Sequence, residues 1–174
     1  VGMSDRINRL VDAAREGDDV AVAELVRLTQ DDVRRLCAAL GSRGEVDDLV
    51  QETYLRAFRS LGSYRSEAPL RAWLLTIGRR VCADHVRRRQ RERRLIDRVR
   101  ATAAGDDAPG REHTEELLAG LDPDRREAFV LTQIGGLSYE EAAEVLGCPI
   151  GTIRSRVARA RADLLTAQRS SSAI

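Results

Sequence analysis

Apolar residues recur along this chain at steps of three and four, the period of an amphipathic helix, and no run alternates strictly as a half-buried strand would. The class is all-α. In the first half the periodic stretches span residues 5–16, 20–40, 45–61 and 70 to about 94, broken by Gly17 and by segments 41–44 and 62–69. Residues 101–110, ATAAGDDAPG, are small and polar, the composition of a flexible linker that cannot offset its ordering entropy by burial. A second helical unit begins near Arg111. Asp122 and Pro123 form a cap and first-turn pair, opening a helix over 123–134 whose Phe129, Val130 and Leu131 should pack on the two C-terminal helices. The pattern therefore predicts two small helical domains, 1–98 and 113–174, joined by a flexible linker over 99–112.

The C-terminal stretch is the most sharply marked. Ser138 and Glu141 have the spacing of a capping box, Gly147 is the residue type that ends a helix in the left-handed conformation, and Pro149 suits the first position of the next helix. Two short helices around a tight turn make a helix-turn-helix. On the second helix Ile153, Val157, Ala160 and Leu164 share one face. Advancing ~100° per residue puts Ser155, Ala158 and Arg159 opposite, with Arg154, Arg156 and Arg161 on the flanks. Arginine there can bond guanine edges or grip phosphate, and small neighbours permit close approach to a major groove. The alternative is a solvated basic face on an ordinary surface helix, and the turn and caps favour DNA reading.

Composition changes this picture in one respect. Net charge is only +1, yet all 29 basic residues are arginine and they concentrate in 87–100 and in the last helix, while acidic residues dominate 18–52 and 106–116. That polarity suits a protein meeting nucleic acid on some faces and a basic protein surface on another. Cys37, Cys82 and Cys148 are widely spaced in apolar settings, and His85 and His113 stand apart, so no metal site or cofactor is expected and the cysteines read as buried thiols. No stretch approaches ~18 apolar residues and no leader pattern opens the chain, which places the expected site of action in the cytoplasm without a membrane span.

Two helices of the first half carry further candidates. Over 45–61, Val46, Leu49, Val50, Ala57, Phe58 and Leu61 form an inward stripe and leave Asp48, Gln51, Glu52, Leu55 and Arg59 outward. By residues alone this is either a docking patch or a solvated face, and the residues favour the latter. On the next helix Leu70, Trp73, Leu74, Ile77 and Val81 line up, leaving Arg71, Arg79, Arg80 and Arg87 as a cationic remainder behind a Tyr64-Arg65 loop. Such a helix neutralises phosphates, and Tyr64 offers a surface for an unstacked base; Trp73 belongs with the core.

The segments DDLVQETYLRAF from Asp47, RAWL from Arg71, Asp84 with Arg87, and CPIGTIRSR from Cys148 together resemble successive signatures of extracytoplasmic-function (ECF) sigma factors, the small two-domain members of the sigma-70 family. The resemblance covers nearly the whole chain. It implies a dissociable, non-enzymatic subunit of bacterial RNA polymerase that directs the enzyme to promoters and helps open the DNA. It implies docking on the beta-prime clamp helices by Asp48, Gln51, Glu52 and Leu55, and reading of a single-stranded minus-ten element by Tyr64, Arg65, Arg79, Arg80 and Arg87. Arg154, Ser155, Arg156 and Arg159 are then the readers of a duplex minus-thirty-five element. The beta flap and an anti-sigma factor are further partners that the resemblance brings with it. The rival reading is a free-standing helix-turn-helix regulator on duplex operator DNA, which predicts a dimerising or ligand-binding N-terminal half. A nuclease or deaminase wants clustered carboxylates or a Cys/His metal set, and none is spaced for it.

Overall fold

A computed structural model describes residues 2–99 and 117–171. The linker expected over 99–112 lies, from residue 100 onward, outside the described residues, as does His113. The first domain contains α1 (Met3–Arg15), α2 (Asp19–Leu40), α3 (Val46–Ser60) and α4 (Leu70–Val99), and the second α5 (Pro123–Phe129), α6 (Tyr139–Leu146) and α7 (Ile150–Ser171). No strand occurs among the described residues.

The helix ends follow local chemistry. Asp18 caps α2 by accepting from the amides of Val20 at 2.8 Å and Ala21 at 3.2 Å, and Asp122 caps α5 through Asp124 and Arg125. Ser138 and Glu141 close a reciprocal capping box, and Gly147 ends α6 at φ +62, the left-handed conformation. The helix expected over 123–134 is α-helical only to Phe129; Val130–Ile134 widens into a π turn closed by the Gly135 amide on the Val130 carbonyl at 2.7 Å.

In the first domain α2, α3 and α4 cross around Val33, Leu36, Leu49, Ala57, Leu74 and Val81, all buried. Periodicity missed Thr53 and Tyr54, which are also buried; their hydroxyls are satisfied by the Leu49 carbonyl at 2.7 Å and by Thr29 at 2.8 Å. Cys37 and Cys82 are buried in contact, and their hydrogen bond pulls the Cys37 thiol down and pushes the Cys82 thiol up. Cys148 is only half-buried, which corrects the expectation of three buried thiols. In the second domain Val130, Leu131, Ile153, Val157 and Ala160 are fully or almost fully buried.

The two domains also share a face that no single helix announced. Leu75 is fully buried because the backbone at Gly135 lies over it; a Cβ on Gly135 would sit 3.2 Å from the Leu75 methyl. Arg126 donates from α5 to the Ala39 carbonyl near the end of α2, through Nε at 2.9 Å and through Nη2. Arg79 meets the Glu127 carboxylate at 3.1 Å.

Candidate nucleic-acid interface

Outward charge on α3 follows from its inward stripe. Asp48, Gln51 and Leu55 are exposed, and Glu52 is half-buried with its carboxylate 2.7 Å from Arg56. Arg56 also reaches Asp84 of α4 at 2.9 Å, and Asp84 reaches Arg87 at 2.6 Å. The guanidiniums of Arg56 and then Arg87 hold the Asp84 carboxyl below its ordinary range. This chain of charges spans a groove of about 500 Å³ between α3 and α4, floored by Leu49 and Val81. His85 lies buried at its edge, 2.6 Å from Glu45. Sequence spacing placed the α3 face correctly, but not its link to Asp84 and Arg87.

The arginines of the loop and α4 divide. Arg65, Arg80 and Arg87 are exposed, whereas Arg79 is half-buried against Glu127 of the second domain. Tyr64 requires a correction. Its side chain is 5 % exposed, its ring packs on Trp73 with centroids 5.2 Å apart, and its hydroxyl donates to the Ala68 carbonyl at 2.8 Å. The ring is therefore part of the core beneath the loop and no open stacking platform, because an apolar ring next to Trp73 gains more from burial than from water.

On α7 the predicted face is outward: Arg154, Ser155 and Arg159 are exposed, and Ile153, Val157 and Ala160 point into the core. Arg156 is half-buried, bonded to Asp124 of α5 and 3.8 Å from the Cys148 sulfur, so it braces α7 on its neighbour. Arg161 donates to Gln133 at 2.7 Å. Behind this face an apolar groove of about 550 Å³ is lined by Leu117, Leu118, Phe129, Ile134, Leu164 and Leu165. No group of three or more His, Cys, Asp or Glu side chains able to hold a metal occurs among the described residues, and no described helix is long and apolar enough to cross a membrane.

Comparison with known proteins decides what this pairing of domains is. The family model described as Sigma-70 region 2 matches residues 25–92, and that described as Sigma-70, region 4 matches residues 112–164. The chain belongs to the ECF sigma factors. It is 42% identical over 170 residues to the ECF RNA polymerase sigma factor SigC of Mycobacterium tuberculosis, covering 92% of this chain and 90% of the relative. To the ECF RNA polymerase sigma-E factor of Haemophilus influenzae it is 32% identical, covering 87% and 89%. CnrH, solved in complex with the cytosolic domain of CnrY, superposes with a TM-score of 0.73 at 32% identity over 96% of this chain and 98% of that one. The sigma factor RpoE of Bartonella quintana, solved with the anti-sigma factor NepR, gives 0.72 at 32% identity over 84% and 96%. In this sigma factor region 2 thus comprises most of α2 through α4, and region 4 carries α5 to α7, while α1 lies ahead of the matched segment.

Proposed function

We propose that this ECF sigma factor binds core RNA polymerase through the outer face of α3, carries it to promoters and helps open the DNA there. It acts in the cytoplasm as a specificity subunit with no catalytic chemistry of its own. The carrying observation is a pair of exposed faces of opposite charge, acidic on α3 and basic on α7, one in each sigma region. Asp48, Gln51, Glu52 and Leu55 meet the beta-prime clamp helices. Arg65, Arg80 and Arg87 hold the minus-ten strand, joined by Arg79 when its Glu127 contact opens. Arg154, Ser155 and Arg159 read the minus-thirty-five duplex, with Arg156 bracing them. The apolar groove behind α7, with Leu165 exposed, suits the beta flap. Residues 1–98 and 113–174 are the two working units, with 99–112 between them. Restraint by an anti-sigma factor belongs to the same reading, since the Bartonella RpoE was solved in complex with the anti-sigma factor NepR.

Unstacking promoter bases costs energy that binding of the exposed single strand offsets. Two modest readers on one tether and one scaffold select tightly through raised effective concentration. Run-off transcription with core polymerase over a genomic promoter library tests the proposal: a defined set of new start sites should appear only when the sigma factor is present. Specific retardation of duplex DNA by the purified chain without polymerase would instead favour a free-standing regulator.

A further inference from the structure

All three guanidinium nitrogens of Arg15, the last residue of α1, are engaged. Its Nε donates to the Leu61 carbonyl at 3.2 Å, its Nη2 to the Tyr64 carbonyl, and its Nη1 to Asp12 one turn back at 2.9 Å. The two carbonyls belong to the first residue of the three-residue turn Leu61–Ser63 and to the residue after it, and the turn's own closing bond runs from the Tyr64 amide to the Leu61 carbonyl at 3.2 Å. Beyond it the buried Tyr64 ring leans on Trp73 and its hydroxyl ties the Ala68 carbonyl, while the Trp73 amide takes the Pro69 carbonyl at 3.2 Å. The backbone of 61–69 is therefore fastened at both ends. Between the fastenings Arg65, Ser66 and Glu67 stand exposed as an arch, with Ser66 at φ +57, a conformation a residue with a Cβ keeps only when its surroundings impose it.

We infer that Arg15 is a positioning residue for minus-ten reading, holding the 61–69 loop in the arched conformation that presents Arg65 to Glu67 to an unpaired strand. The inference rests on the proposed role of that loop and extends it to a helix outside the matched region 2 segment. The chemistry explains the residue type. Two carbonyls facing one cation need a planar fork with separate, fixed donors, and lysine offers a single point charge that cannot span both with the same geometry. A loop that must capture an unstacked base gains affinity when its conformation is set beforehand, because no ordering cost then falls at the moment of capture. Arg15 touches no base in this scheme.

The test uses holoenzyme rebuilt from core polymerase and the full chain carrying Arg15→Lys, Arg15→Met or Tyr64→Phe, the last removing the hydroxyl's ties to Ala68 and Ser66. Measured are the rate of duplex promoter opening by permanganate reactivity of minus-ten thymines, transcription from a template already melted at that element, base preference at each minus-ten position, and melting temperature of the free chain. Arg15→Lys gives up at least one charge-assisted bond and Arg15→Met both, which predicts opening slowed roughly tenfold in the first, more in the second and less in Tyr64→Phe. Flattened base preference and near-normal transcription from the melted template should accompany it. Wild-type opening and base preference in Arg15→Lys and Arg15→Met would overturn the inference, as would losses that follow the melting temperature and are equal on both templates. Failure of the wild-type holoenzyme to open any promoter would instead sink the proposed function itself.

Discussion

Reversing charge on α3 with the double substitution Asp48→Arg and Glu52→Arg separates docking from folding. Asp48 lies in the first turn of α3, where a carboxylate is favoured by the helix dipole by ~0.3–1 kcal/mol. Glu52 pairs with Arg56 four residues on, both about two-fifths exposed, and such pairs contribute ~0.2–0.5 kcal/mol. Replacing attraction by repulsion at both places roughly doubles the loss, to about 1–3 kcal/mol. Neither side chain enters the core, so the variant should remain folded, with a melting temperature lowered by roughly 2–12 °C for a chain of 174 residues. Against a basic partner surface the same two changes set like charges face to face, costing ~3 kcal/mol or more, over a hundredfold in affinity. Co-purification with core polymerase and a thermal melt of the free chain are read together. Undiminished co-purification of the folded variant would refute the docking assignment, and a melting loss far above ~12 °C would refute the claim that neither side chain supports the core.

Three further outcomes are expected. A double-mutant cycle on Arg79 and Glu127, read by urea denaturation, should give a coupling of about 0.5–1.5 kcal/mol that shrinks with salt, since the pair is three-quarters buried and joins the domains; zero coupling would mean the shared face does not persist in solution. Substituting Gly147→Ala should cost about 1 kcal/mol, the left-handed penalty alone, because an added Cβ meets nothing within 4 Å; a cost near zero, measured by denaturation, would contradict the turn geometry. Burial raises the Tyr54 phenol above its ordinary range, so its contribution to stability is fully present below about pH 10 and lost as pH climbs through the folded value. With 29 arginines and no lysine, that alkaline range is free of ammonium titration, and Tyr54→Phe should visibly flatten the fall in urea midpoint between pH 9 and 11 or the assignment is wrong.

What the chain determined by itself is everything carried by neighbours a few residues apart. The caps at Asp122 and Ser138, the turn at Gly147 and the inward faces of α3 and α7 are local, because a helix repeats every 3.6 residues and its end groups are satisfied within one turn. The family signatures lie on those same helices, so the outward Asp48, Gln51, Leu55, Arg154, Ser155 and Arg159 were legible too. Tertiary structure decided where two faces compete for one residue. Leu74 and Leu75 are adjacent, hence on different sides of α4, and a doubled apolar position was the available sign that this helix is covered twice, by the first-domain core and by the backbone at Gly135. Tyr64 beside Arg65 reads as a nucleic-acid loop, yet the ring turns inward because Trp73 and the Ala68 carbonyl await it. Arg15, Arg56 and Arg126 look like ordinary surface cations in sequence, and they acquire their tasks from carbonyls and carboxylates 28 to 87 residues away. Contacts at that separation depend on how helices cross, a property of packed volumes that no single helical period encodes.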